Sequence, residues 1–107
     1  MIKLLRYQTE DEKSPITTWL GNLRDLRARA QIEIRLRRVS TGNFGDCKPV
    51  GEGVLELKID VGAGYRIYCG RHGQELVVLL CGGDKATQKA DIQCAKDYWS
   101  DWKRRNK

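Results

Sequence analysis

Between Val54 and Cys81 the sequence alternates short apolar runs with tight glycine turns, and this segment constrains the fold more than any other. Val54, Leu55, Leu57 and Ile59 make one run, which ends at Gly62-Ala63-Gly64. Tyr65-Arg66-Ile67-Tyr68-Cys69 follows, then a turn at Arg71-His72-Gly73, then an apolar run from Glu75 to Cys81 that Gly82-Gly83-Asp84 breaks. Turns this short join only strands that pair side by side in opposite directions, so three consecutive strands form an antiparallel meander. Such a sheet has an apolar face that must be covered, and the flanking segments have to supply the cover.

Those flanks read as helices. Ile2 to Tyr7 is a short strand, and Thr9 to Lys13 is polar connection. Ser14-Pro15 opens a helix, with serine as cap and proline at the first helical position. Ile16, Trp19, Leu20 and Leu23 follow at helical spacing. A longer helix runs from about Asp25 to Ser40 and stops at Thr41-Gly42-Asn43. At about 100° per residue, Leu26, Ala30 and Ile34 together with Ala28, Ile32, Leu36 and Val39 occupy most of its circumference, which predicts broad burial. Asn43 to Gly53 reads as loop. The last helix begins between Asp84 and Thr87 and ends near Arg104, with Ile92, Ala95, Trp99 and Trp102 as its packing seam. The expected class is α+β in the order βααβββα, with one face of the sheet covered by helices. At 107 residues there is room for one core. The domain is expected to span residues 1–104, with 105–107 as a frayed basic tail.

Composition excludes several function classes. No apolar run reaches the roughly 18–20 residues needed to span a bilayer, and the N-terminus lacks the features of an export signal, which predicts a cytoplasmic protein. Of the four cysteines, Cys47, Cys69, Cys81 and Cys94, none forms a C-x-x-C pair, and His72 is the only histidine. Metal-ligand spacing is therefore missing and no metal or cofactor is expected. Cys69 and Cys81 suit small buried apolar positions, and His72 suits a surface turn. The net charge of +6 favours phosphate backbones or an acidic protein as partner, although for a small domain it is also an ordinary solubilising surplus.

The distribution of that charge is more informative. Strand alternation sets Glu56 and Lys58 opposite Leu55, Leu57 and Ile59, and sets Arg66 and Tyr68 on the face away from Tyr65, Ile67 and Cys69. One sheet face thus carries Glu56, Lys58, Arg66 and Tyr68, with Lys85 and Gln88 at the mouth of the last helix. A carboxylate, several cations and a helix N-terminus suit a phosphodiester; equally, a half-solvated sheet is polar on its outer face by default. On the long helix, Arg24, Arg27, Gln31, Arg35 and Arg38 share one sector. A solvated face, an RNA contact and a dock for an acidic segment all fit that stripe.

Several segments together resemble toxins of the RelE/ParE superfamily, in the branch called HigB-like or addiction module killer proteins. They are Trp19-Leu20 with Leu23, Ala28 and Ala30; Gly42-Asn43 with Gly45-Asp46; Gly53 to Lys58 with Gly64-Tyr65-Arg66-Ile67-Tyr68; and Leu79 to Lys85 with Thr87-Gln88 and Asp91-Ile92. The resemblance implies a bacterial toxin neutralised by a cognate antitoxin, commonly one with a helix-turn-helix DNA-binding domain. It implies ribosome-dependent, metal-independent cleavage of mRNA, in which the 2′-OH attacks its own 3′-phosphate and leaves a 2′,3′-cyclic phosphate. Other members inhibit DNA gyrase, and a member can retain antitoxin binding alone. Carried over by position, Arg66 stabilises the phosphate, Lys58 holds substrate or transition-state charge, Glu56 is the general base, and Lys85 binds phosphate or assists the leaving group. Arg24, Arg27, Arg35, Arg38, Lys48, Tyr68 and Gln88 are the expected RNA contacts. Where many relatives carry a C-terminal Tyr or His for acid–base work, this chain has Asp91.

Overall fold

The computed structural model describes residues 1–107. In chain order the elements are β1 (Lys3–Arg6), α1 (Pro15–Asn22), α2 (Leu26–Ser40), β2 (Cys47–Gly51), β3 (Val54–Ile59), β4 (Tyr65–His72), β5 (Leu76–Asp84), a 3-10 turn (Lys85–Thr87) and α3 (Gln88–Arg105). The meander of β3, β4 and β5 is present, and its register pairs Glu56 with Tyr68 and Lys58 with Arg66. The sheet has five strands in the order β1-β5-β4-β3-β2, with β1 parallel to β5 and the other pairs antiparallel. The class is α+β, as expected.

Local chemistry explains the helix boundaries. Ser14 caps α1 ahead of Pro15, and the Asp25 carboxylate accepts from the Ala28 amide at the start of α2. After Ser40 the chain leaves the helix through Gly42 at φ +95°, a conformation that favours glycine.

Four expectations need correction. First, the helices do not share one face. Ile16, Ile32, Leu36 and Val39 from α1 and α2 pack with Leu57, Ile67, Cys69, Val77 and Leu79 on one side of the sheet. On the other side Ala95, Trp99 and Trp102 from α3 pack with Val54, Tyr68, Val78, Leu80 and Cys81. The molecule is therefore three-layered, and the polar face of the meander lies under α3. Second, Cys47–Gly51, read as loop, is an edge strand on β3. Third, β5 runs through Gly82 and Gly83. A Cβ at Gly82 would collide with the Trp19 indole, and one at Gly83 with the Asp91 carboxylate, so these glycines admit close neighbours on either face and do not end the strand. Fourth, α2 buries only Ala28, Ile32, Leu36 and Val39, while Leu26 is 75% exposed and Ala30 is also exposed.

The last helix reaches one residue beyond the expected domain end at 104. Arg105 is the last residue of α3, where its guanidinium holds the Asp101 carboxylate and donates to the Gln8 carbonyl at 2.5 Å. Tyr7 donates to Asp101 at 2.6 Å and stacks on Tyr98, which ties the end of β1 to α3.

Candidate functional site

Strand alternation puts Glu56 on β3 and Arg66 and Tyr68 on β4 toward α3, and the helix then closes over them. Glu56 is only 2% exposed and Arg66 7%, the only buried charged side chains of the chain. A buried carboxylate is costly unless hydrogen bonds hold it. Here Oε2 of Glu56 accepts from the Tyr68 hydroxyl at 3.0 Å and from the Gln88 amide at 2.9 Å. Both donors are neutral. The cations stand slightly farther off: Arg66 Nε lies 3.9 Å from Oε2, and Lys48 Nζ lies 3.8 Å from Oε1. The second oxygen, Oε1, accepts no hydrogen bond from the protein, whereas Oε2 accepts both.

These groups surround a cavity of about 190 Å³ lined by Asp46, Lys48, Glu56, Lys58 and Arg66. Arg66 is partly anchored, because its Nη1 donates to the Gly64 carbonyl at 3.1 Å. Its Nε is the one buried side-chain nitrogen or oxygen with no hydrogen-bond partner. An unmade hydrogen bond at a buried donor costs about 1–3 kcal/mol, so an anionic oxygen entering the cavity would be stabilised at that atom. Lys48 and Lys58 would add charge to the same oxygen-rich ligand.

The wall of the site rests on local structure. Asp84 caps the 3-10 turn through the Ala86 amide, and this turn delivers Gln88 as the first residue of α3. Opposite Tyr68 the β4–β5 register shifts by one residue, a bulge that re-aims side chains beside the carboxylate. The Asp46 carbonyl accepts from the Lys58 amide at 2.9 Å and from the Arg35 guanidinium at 3.3 Å, which fixes the loop ahead of β2.

Of the expected catalytic residues, the structure brings Glu56, Lys58 and Arg66 together. Lys85 does not line the cavity; it is exposed on the 3-10 turn, near Gly64. Among the expected RNA contacts, Lys48 joins the site. Tyr68 is fully buried and cannot meet RNA; it holds Glu56 instead. Burial first, and the Glu56 charge second, push its phenol far above the ordinary range, so it stays protonated and donating. Gln88 is likewise engaged with Glu56. Arg24 precedes the cap of α2 and does not belong to the helical stripe. Arg35 is half-buried and bonded to the Phe44 and Asp46 carbonyls. Arg27 and Arg38, with Gln31 and Arg35, line a separate groove of about 360 Å³ against Ile59, Asp60 and Val61.

Asp46 also lines the cavity, although its only signal in the sequence is its place in the Gly45-Asp46 segment. Nothing local in the sequence marks the clasp of Asp91 by Thr87, whose hydroxyl donates at 2.5 Å. That bond braces the first turn of α3. Cys69 and Cys81 are buried small residues, and burial raises both thiols to about 12. His72 is exposed and lies edge-on to Trp102. No helix is long and apolar enough to cross a membrane.

No protein-family model matches the chain. Over 79 residues it is 53% identical to an uncharacterized protein of Haemophilus influenzae, an alignment that covers 74% of this chain and 80% of that protein. At that identity and coverage the chain belongs to the same family as the Haemophilus influenzae protein.

Proposed function

We propose that the protein is the toxin of a toxin–antitoxin pair, an endoribonuclease that cleaves mRNA on the ribosome without a metal and is neutralised by a cognate antitoxin. The observation that carries this reading is the pairing of a buried, one-sidedly held carboxylate with a buried Arg66 whose Nε makes no hydrogen bond, in one cation-lined cavity. The likeness to RelE/ParE toxins supports it from the sequence side. In this chemistry Oε1 of Glu56 takes the proton of the attacking 2′-OH. Arg66 and Lys48 stabilise the charge that develops on the phosphate oxygens, and Lys58 protonates the leaving 5′-oxygen. Tyr68 and Gln88 hold the base and do not touch the substrate.

The reading is tested by controlled expression in a bacterium, with and without the neighbouring gene. It expects rapid arrest of translation, mRNA ends in phase with codons, and rescue by the neighbouring gene product. Arg66→Ala is expected to relieve the arrest while the protein accumulates folded. Filamentation and DNA-damage signalling over intact mRNA would replace this reading with gyrase inhibition.

A further inference from the structure

The helix α2 carries five arginines and one glutamate in Leu26–Ser40, and the site at Glu56 uses only Arg35, through the loop. Next to that charge lies an apolar row the fold leaves open. Leu26, Ala30 and Ile34 follow at four-residue steps and so form one stripe along the helix. Leu26 is 75% exposed, Ala30 is exposed and Ile34 is half-buried. Met1 apart, Leu26 is the most exposed large hydrophobic side chain in the chain. Beside the stripe runs the groove of Arg27, Gln31, Arg35 and Arg38, with Ile34, Ile59 and Val61 as its apolar members. Arg27 and Arg38 form no ion pair and no side-chain hydrogen bond within the chain. The 3.6-residue pattern that predicted broad burial of α2 is therefore real, but this chain buries only half of it.

We infer that this face of α2 docks an acidic amphipathic helix of another protein. Apolar side chains of the partner cover Leu26, Ala30 and Ile34, and its carboxylates meet Arg27 and Arg38. Charge complementarity sets the sign of the partner, and the aliphatic stripe sets its class. A single-stranded nucleic acid would use the arginines but has no use for an aliphatic row. It would also find no aromatic ring in the groove on which to stack a base. Asp60, at the rim, repels phosphate while it is available to a lysine or backbone amide of a protein partner. The inference does not depend on what happens at Glu56.

The test uses the full-length protein and two labelled probes followed by fluorescence anisotropy. One is a synthetic helical peptide with leucines every third or fourth residue between rows of glutamates; the other is an unstructured oligoribonucleotide of matching charge. Leu26→Ser, on an exposed position, is expected to weaken the peptide about tenfold. It is expected to leave the oligoribonucleotide unchanged. The pair Arg27→Glu with Arg38→Glu is expected to weaken the peptide at least as much. The inference is overturned if the peptide fails to bind, or binds with an affinity indifferent to Leu26→Ser. It is equally overturned if the oligoribonucleotide binds more tightly than the peptide and depends on the two arginines alone, since the face would then belong to nucleic acid.

Discussion

The two faces of the sheet obey the same alternation and end in opposite chemistry. Toward α1 and α2, Leu57, Ile59, Ile67, Cys69, Val77 and Leu79 pack in one apolar cluster that buries no charged side chain. Toward α3, Val54, Tyr68, Val78, Leu80 and Cys81 make a comparable apolar patch, but Glu56 and Arg66 are buried within the same face. An apolar layer on both sides would have been enough to fold the chain. Replacing a buried charged pair with packed hydrophobes is often neutral or stabilising, so the polar half of the α3 face is not explained by stability. The difference separates a face that holds the molecule together from a face that holds a carboxylate in place.

That contrast can be broken in graded ways. The largest effect is expected at Arg66. Arg66→Ala should lower RNA cleavage about a hundredfold to a thousandfold, by analogy with loss of one preorganised transition-state donor. Circular dichroism should show the fold retained. A variant that unfolds would instead make Arg66 a structural residue. Next comes the apolar face: Ile32→Ala should cost about 2–5 kcal/mol in denaturant unfolding. The folded fraction should keep its cleavage rate; a matching loss of rate per folded molecule would couple the two faces. A smaller change is expected from Tyr68→Phe, which removes one of two donors to Oε2. It should lower kcat about tenfold and leave KM unchanged; a rise in KM alone would return Tyr68 to substrate contact.

The smallest effect concerns the tie between β1 and α3. The Tyr7 hydrogen bond, ahead of the Arg105 contacts, holds the Asp101 carboxyl below its ordinary 3.8, while burial and Asp101 push the Tyr7 phenol up to about 12. A lowered acid contributes stability above its unfolded value that fades as pH falls through the folded value. A raised phenol contributes stability below pH 10 that fades as pH rises toward 12. The tie is thus fully present from above about pH 4 to about pH 10. Tyr7→Phe should cost about 1 kcal/mol in that window. Thermal melts across pH should show the variant and the parent converging at both extremes, and a constant gap would assign the loss to packing.

What the sequence disclosed follows from the range of the forces involved. The meander, the Ser14 cap, the start of α2 at about Asp25 and the seam of Ala95, Trp99 and Trp102 are local patterns, and each is where it was expected. The edge strand Cys47–Gly51 was hidden because Pro49 and two nearby glycines read as loop, while an edge position tolerates a missing amide donor. Gly82 and Gly83 read as a stop because their partners, Trp19 and Asp91, come from distant segments. Alternation chose the correct face for Glu56, Lys58, Arg66 and Tyr68 but could not show that α3 crosses it. That crossing moves Tyr68 and Gln88 from expected substrate contacts to supports of Glu56, and it leaves Lys85 outside the cavity.

The central claim is that Glu56 is a general base held by neutral donors inside a cation-lined cavity. The most direct measurement places purified protein on ribosome-bound mRNA and follows the new RNA ends, comparing the parent with Glu56→Gln. The variant keeps the size and the acceptor oxygen but loses the proton-accepting charge. Cleavage by the parent to 2′,3′-cyclic phosphate ends, reduced about a hundredfold or more in the variant, is the predicted result. Equal cleavage by both proteins, or intact mRNA with the parent, would contradict it.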